Sequence, residues 1–223
     1  MMVKDYDYSK YWENEYESRK KYYQELYGKI NNFYKFPENK TVLDIGGGNG
    51  QLSNFFKIKK AVIMDISDSG LNFAKKKFGY RVLKQDLGGE WGIGKQFNVA
   101  LCNECLEHFE SPLEVMKKAN DSLKIDGILY VSVPNMMPDG EHHKAWMYYQ
   151  KLAKICKESG FKIEKRIIIP RFAKNTKAIG LKQNVYNFIS FILGKSRGVL
   201  TEKFPSIFGK FYHLKLKKIK NLK

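Results

Sequence analysis

The sequence predicts an α/β domain with a mostly parallel sheet covered by helices on both faces, and three observations carry that reading. Short, nearly continuous apolar runs alternate with helical stretches from residue 41 onward, the pattern of strands buried on both sides. The chain has 223 residues, 43% of them hydrophobic, which suits one core of ordinary size. No internal repeat stands out and no second domain is visible, so residues 1–223 read as a single domain.

The first 35 residues are crowded with Tyr and Trp. Tyr8, Trp12, Tyr16, Tyr23 and Tyr27 recur at roughly helical spacing among charges, predicting one or two amphipathic helices on or over a cleft. Phe36-Pro37 marks a break. TVLDI (41–45) reads as the first strand, followed by glycines and a short helix through Phe56. AVIMD (61–65) is the second. Ser67 or Ser69 can cap a helix with the stripe Leu71, Ala74 and Phe78, stopped by Gly79. RVLKQD (81–86) is the third strand, and GGEWGIG links it to FNVALC (97–102). Ser111-Pro112-Leu113-Glu114 spells a capping box with proline at the first helical position, opening a helix that buries Leu113, Met116, Ala119 and Leu123. Asp126-Gly127 turns the chain into GILYVSVP (127–134). Tyr149, Leu152, Ala153 and Cys156 form a helical stripe closed by Gly160. FKIEKRIII (161–169) is a sixth strand, and KFYHLKLK (210–217) alternates like a seventh.

Composition bounds the setting. The opening residues show no secretory pattern, and the longest apolar run, VYNFISFIL (185–193), is far short of the ~20 residues that span a bilayer. Cys102, Cys105 and Cys156 form no spaced framework, which argues for a reducing, cytoplasmic location. The C-x-x-C of Cys102 and Cys105 lacks a second such pair, so it reads as a buried strand cysteine and a loop cysteine rather than a zinc half-site. Net charge is +17, unevenly placed: residues 162–223 hold 16 basic side chains against Glu164 and Glu202. Such asymmetry is compatible with an anionic partner, either nucleic acid or an anionic lipid surface, and equally with a generally lysine-rich proteome. Only five of the 40 basic residues are arginine, the residue that reads phosphates and base edges, so nucleic acid is the weaker candidate.

In a sheet of this kind, ligands bind beyond the carboxyl ends of the strands. After the first strand the chain reads Asp44-Ile45-Gly46-Gly47-Gly48-Asn49-Gly50, or D-x-G-x-G-x-G. Glycines let backbone approach a ligand without Cβ clashes. The dinucleotide fingerprint needs glycine at position 51, where Gln51 stands, so a nicotinamide site fits poorly. Asp65 ends the second strand, where a carboxylate can accept from both ribose hydroxyls. Asp86 ends the third, where a side chain can meet an adenine amino group. Three strand ends together describe an adenosine pocket.

VLDIGGGNG, MDIS, KQDL, NECLEHFESP and LKIDGILYVSVPN, in that order and spacing, resemble the successive motifs of class I S-adenosylmethionine-dependent methyltransferases. The branch they resemble most is that of the ubiquinone-biosynthesis O-methyltransferases and related small-molecule enzymes, over residues 42–164. The resemblance implies a Rossmann-like, doubly wound sheet of seven strands with the last antiparallel. It implies a helical cover at 1–36, a cofactor-binding core at 37–169, and a basic insert with the last strand at 170–223. It places Asp44, Gly46, Gly48 and Gly50 along the methionine part of S-adenosylmethionine, Asp65 on the ribose, Asp86 and Leu87 beside the adenine, and Asn103 at the amino-acid end. Tyr8, Tyr11 and Trp12 are candidates to cover the site.

Methyl transfer to a hydroxyl needs an aligned nucleophile and a base or metal to take its proton. Glu104, Glu107 and His108 spell E-x-x-E-H just past the fourth strand, and four-residue spacing would put Glu104 and His108 on one helical face. Two carboxylates and an imidazole suit a divalent cation such as Mg2+. The string also resembles the metal-binding motif of ubiquinone-biosynthesis O-methyltransferases and of small-RNA 2′-O-methyltransferases. His142 or His143 could complete the set, and His108, Glu107 and His143 are the candidate catalytic groups. The plain alternative is that His108 bonds to backbone and His142-His143 is a solvated loop. His213 falls in the last strand and reads as structural. The N-P-P-Y expected of base-methylating enzymes is absent at 103–106, where the chain reads NECL. Residues 170–205, apolar with basic flanks, read as an acceptor lid, an amphipathic helix on an anionic membrane, or core with a basic rim. The expected acceptor is thus small or lipid-linked; the rivals are RNA 2′-O-methylation and a non-catalytic S-adenosylmethionine-binding protein.

Overall fold

The computed structural model describes residues 16–135, 142–170 and 209–221. Seven strands form one sheet: β1 Val42–Ile45, β2 Ala61–Asp65, β3 Arg81–Lys84, β4 Phe97–Asn103, β5 Leu123–Pro134, β6 Phe161–Pro170 and β7 Gly209–Lys218. Their spatial order is β3-β2-β1-β4-β5-β7-β6. β1 to β5 pair in parallel, and β7 runs antiparallel to both its neighbours. The order therefore reverses between β1 and β4, which opens a crevice beyond their carboxyl ends.

Among the described residues five α-helices accompany the sheet: α1 Tyr16–Tyr27, α2 Gln51–Phe55, α3 Asp68–Phe78, α4 Pro112–Ser122 and α5 Tyr149–Glu158. Alternating strand side chains feed two cores. On one face Val42, Ile63, Leu101 and Tyr130 meet Tyr23 and Tyr27 of α1, Leu52 of α2, and Leu71 and Ala74 of α3. On the other, Leu43, Met64, Val131 and Leu214 meet Met116 of α4 and Leu152 of α5. Buried Tyr23 and Tyr27 confirm the helical spacing read in the N-terminal segment; a 3-10 turn, Gly28–Phe33, continues it.

The local signals held with two corrections. Ser67 caps α3 by accepting from Gly70 N–H, and Gly79 ends it with φ of 71°. Ser111, however, makes no side-chain cap bond, and Glu114 turns outward to Lys117 at 2.8 Å. Proline alone opens α4. Leu123 is not on the helix stripe: it begins β5, whose register with β4 shifts across the segment holding Asp126, φ 63°. Among the described residues no helix is long and apolar enough to cross a membrane. Tyr8, Tyr11, Trp12 and most of the 170–205 insert lie outside the described residues.

Candidate active site

The chain leaves β1 through Gly46, Gly48 and Gly50, each left-handed, with φ of 67°, 54° and 71°. Only glycine adopts this without strain. At Gly46 the space also forbids a side chain, since a Cβ would lie 2.5 Å from Cys105 Sγ. Gly46 and Gly47 donate to Met64 O at 2.8 and 3.2 Å, tying the loop to β2. Gly48 N–H donates to Asp65 Oδ2 and Ser67 N–H to Asp65 Oδ1, both at 2.9 Å. Asp65 thus stands at its strand end facing the loop, and each oxygen retains acceptor capacity for a hydroxyl. Burial raises its pKa, against the backbone donors that lower it.

Asp44 lies beneath this loop. It is 2% exposed and Ser53 Oγ donates to its Oδ2 at 2.5 Å. A Cβ on Gly47 would come within 2.7 Å of its Cγ. Burial pushes its pKa to about 7. Gln51, where a nicotinamide site would need glycine, donates its side-chain Nε2–H to Tyr16 O at 2.6 Å and joins the loop to α1.

Past β3, Asp86 Oδ1 accepts from Gly88 N–H at 2.8 Å and Leu87 is buried. Lys118 of α4 holds this loop from outside: its Nζ donates to the carbonyls of Leu87, Gly88 and Gly89 at 3.3, 2.9 and 2.7 Å. Sequence reasoning missed Lys118, because a lysine some 30 residues from its loop leaves no spacing signal.

Past β4 the chain turns sharply. Glu104 has φ of 49°, and Leu106–His108 is a 3-10 turn, so Glu104 and His108 do not share an α-helical face as expected. Glu104 turns toward α1, where Tyr27 OH donates to its Oε1 at 2.9 Å. Glu107, His108 and His143 come together instead, with one ligand atom from each lying within 4.8 Å of the others. The His108 and His143 rings stack at 5.2 Å. His108 Nδ1 lies 2.7 Å from His142 O. A carbonyl only accepts, so Nδ1 carries the hydrogen of this contact. Glu107 is 3% exposed, and its Oε2 has no hydrogen-bond partner among the described residues. Burial drives its pKa well above the usual carboxylate range, with Glu104 adding to the rise.

Cys102 and Cys105 are free and buried; the neighbouring Cys102 thiol and burial push the Cys105 thiol up, and neither belongs to the Glu107 cluster. Asn103, expected at the cofactor's amino-acid end, has both side-chain polar atoms buried without a partner among the described residues. Three bare glycines, a carboxylate at the next strand end and this unmet amide fit a nucleoside with an amino-acid tail.

The profile of a family described as "methyltransferase domain" matches residues 16–166. A ubiquinone biosynthesis O-methyltransferase of Histophilus somni (strain 2336) is 31% identical over 119 residues, 48% of this chain and 48% of that protein. The match thus spans about half the length of this relative. A SAM-dependent methyltransferase from Archaeoglobus fulgidus superposes with a TM-score of 0.64 at 20% identity, covering 93% of this chain and all but 1% of that one, 99%. The [4+2]-cyclase SpnF shares the fold too, with a TM-score of 0.61 at 15% identity over 88% of this chain and 82% of its own. With the profile spanning most of the chain and the glycine loop, strand-end carboxylate and switch point in place, the chain belongs to the methyltransferase-domain family, α/β enzymes that draw their methyl group from S-adenosylmethionine.

Proposed function

We propose that this protein methylates an oxygen of a small or lipid-linked acceptor. The observation that carries this reading is the cluster of Glu107, His108 and His143 beyond β4, beside the cofactor loop. S-adenosylmethionine supplies an electrophilic methyl group. The chain's own task is to align the acceptor and take its proton. His108, oriented through His142 O, presents a basic nitrogen where the acceptor would lie. Glu107 keeps a carboxyl oxygen unmatched in a dry setting and can hold the proton or orient the imidazole.

A divalent cation also fits these donors, which combine a carboxylate with two imidazoles. Glu107, His108 and His143 would hold it, while Glu104 turns away to Tyr27. Such an ion would draw the acceptor oxygen toward its alkoxide. The adenosine part falls to Asp65, Asp86 and Leu87, the amino-acid end to Asn103, and the loop backbone of Gly46, Gly48 and Gly50 lines the methionine part, supported from below by Asp44. The likeness to ubiquinone-biosynthesis enzymes and the basic segment after residue 162 support a lipid-linked acceptor near an anionic membrane, in the cytoplasm.

Calorimetry tests the reading. S-adenosylmethionine is expected to bind, and Asp65→Ala to weaken it about 100-fold, as loss of charge-assisted hydrogen bonds implies. Unchanged affinity in that variant would sink the cofactor assignment. The charge asymmetry favours one second reading, RNA 2′-O-methylation, which requires steeply salt-dependent RNA binding; no retention on RNA at low salt removes it. Binding of cofactor without transfer to any acceptor would leave a non-catalytic binding protein, an outcome that the cyclase sharing this fold makes worth testing.

A further inference from the structure

The stretch that brings His143 to Glu107 and His108 also carries two aromatic rings outward. It leads into α5 and is fastened to the cluster through backbone: Lys144 N–H and Ala145 N–H both donate to Glu107 O, at 2.8 and 3.0 Å. From there the side chains alternate. Ala145 and Met147 pack into the core, while Trp146 and Tyr148 stand 38% and 37% exposed. The two rings meet edge to face, with centroids 5.5 Å apart. The other large apolar side chains this exposed among the described residues, Ile66, Ile125 and Ile219, are aliphatic and single.

A lone exposed apolar side chain is ordinary. Two features set this pair apart. The indole points its polar edge inward. Trp146 Nε1–H donates at 2.9 Å to Oδ1 of Asn135, which is buried and directly follows β5. An amphipathic ring ordinarily buries its body and wets its polar tip. Here the N–H anchors the ring, and the apolar part is what solvent meets. The pair is also tied to the acceptor chemistry. Trp146 lies three residues from His143, so their Cα atoms are at most about 11 Å apart. Asn135 fixes the indole at the carboxyl end of the sheet, where the crevice opens. An acceptor whose oxygen sits at the cluster has its body within reach of these rings. Two part-exposed side chains supply far less than the roughly 800 Å² per partner of a stable protein interface. One face of a small flat molecule is what a single indole can cover.

We propose that Trp146 and Tyr148 are specificity residues: the flat apolar body of the methyl acceptor stacks on the Trp146 indole beside Tyr148, while the acceptor hydroxyl lies at the cluster. The platform favours acceptors that extend beyond one ring. The inference rests on the O-methylation reading for the place of the hydroxyl, and on Trp146, Tyr148 and Asn135 for the platform itself.

The test titrates the full chain, saturated with S-adenosylhomocysteine, with phenol and with 2-naphthol in a calorimeter. Trp146→Ala should weaken 2-naphthol about tenfold, within the range of one aromatic stack, and phenol less than about twofold. Trp146→Phe keeps a ring without the N–H and should recover part of the loss, which a purely structural Asn135 bond would not allow. Affinity for S-adenosylhomocysteine should stay within about twofold of the parent. If Trp146→Ala does not fold, Tyr148→Ala serves the same comparison. Absent 2-naphthol binding, equal losses for the two phenols, no loss for either, or no recovery in Trp146→Phe would each overturn the platform. So would retention on phosphatidylglycerol vesicles that depends on Trp146 while 2-naphthol binding does not, since the rings would then serve a lipid surface. Failure of S-adenosylhomocysteine to bind would instead strike the proposed function, and the same two titrations on the free chain would still decide the platform.

Discussion

The two sides of the crevice satisfy their polar groups differently. On the cofactor side, the buried or strand-end carboxylates are already engaged: Asp44 with Ser53, Asp65 with Gly48 and Ser67, Asp86 with Gly88. These bonds hold the loops in shape before any ligand arrives. On the acceptor side, Glu107 Oε2 is buried with no hydrogen-bond partner among the described residues. The first side invests its hydrogen bonds in preorganisation. The second keeps polar capacity in reserve, which destabilises the empty protein and favours a guest. Substitutions on the two sides should therefore fail in opposite ways.

The largest effect is expected at Glu107. Glu107→Gln keeps the shape and removes the ionisable carboxyl. Turnover should fall on the order of 10²–10⁴-fold, the usual worth of a positioned acid or base, while S-adenosylhomocysteine affinity stays within about twofold. Because burial raises the folded-state pKa, Glu107 favours folding most in acid, and that contribution is lost as pH climbs toward the raised value. The glutamine variant should lose this slope and gain stability at neutral pH. Equal losses of affinity and turnover would erase the distinction between the two sides.

This contrast also marks what the sequence could disclose. The order of elements was legible because apolar runs and glycine or proline breaks are local signals; β1, β2, β6 and β7 fall within a residue of the expected bounds. The cofactor loop was legible because left-handed backbone demands glycine at fixed spacing. The acceptor side was half legible. E-x-x-E-H announced a cluster, but its membership depends on the positive φ of Glu104 and on a 3-10 turn, which send Glu104 to Tyr27 and bring His143 in from beyond β5. The outward pair of Trp146 and Tyr148 depends on how a stretch without helix or strand lies on the core, and no periodicity announced that.

A second experiment sharpens the cofactor side. Asp44 titrates near 7 in the folded chain against 3.8 for the free group. Between those values the folded protein holds a proton that the unfolded chain has released, so stability falls as pH rises through the window and levels off above it. Asp44→Asn keeps an acceptor for Ser53 Oγ and has nothing to titrate. Its urea-unfolding free energy should therefore change less from pH 5 to pH 8 than the parent's, by roughly 2–4 kcal/mol. Parallel pH profiles would mean that Asp44 is better solvated in the native state than its setting beneath the loop implies.

The smallest and most discriminating effect lies at Lys118, which touches the cofactor side only through backbone. Its ammonium gathers three consecutive carbonyls, so the loop carrying Asp86 and Leu87 is held in one shape by a single charged donor. Lys118→Met keeps the stem and removes the donor. If the loop flanks the adenine, S-adenosylhomocysteine should bind several-fold more weakly, about 1 kcal/mol, with turnover at saturating cofactor unchanged, and Lys118→Arg should restore part of the loss. A lysine that only stabilised the fold would lower the melting temperature and leave cofactor affinity alone. That outcome would detach the loop after β3 from the cofactor and confine preorganisation to β1 and β2.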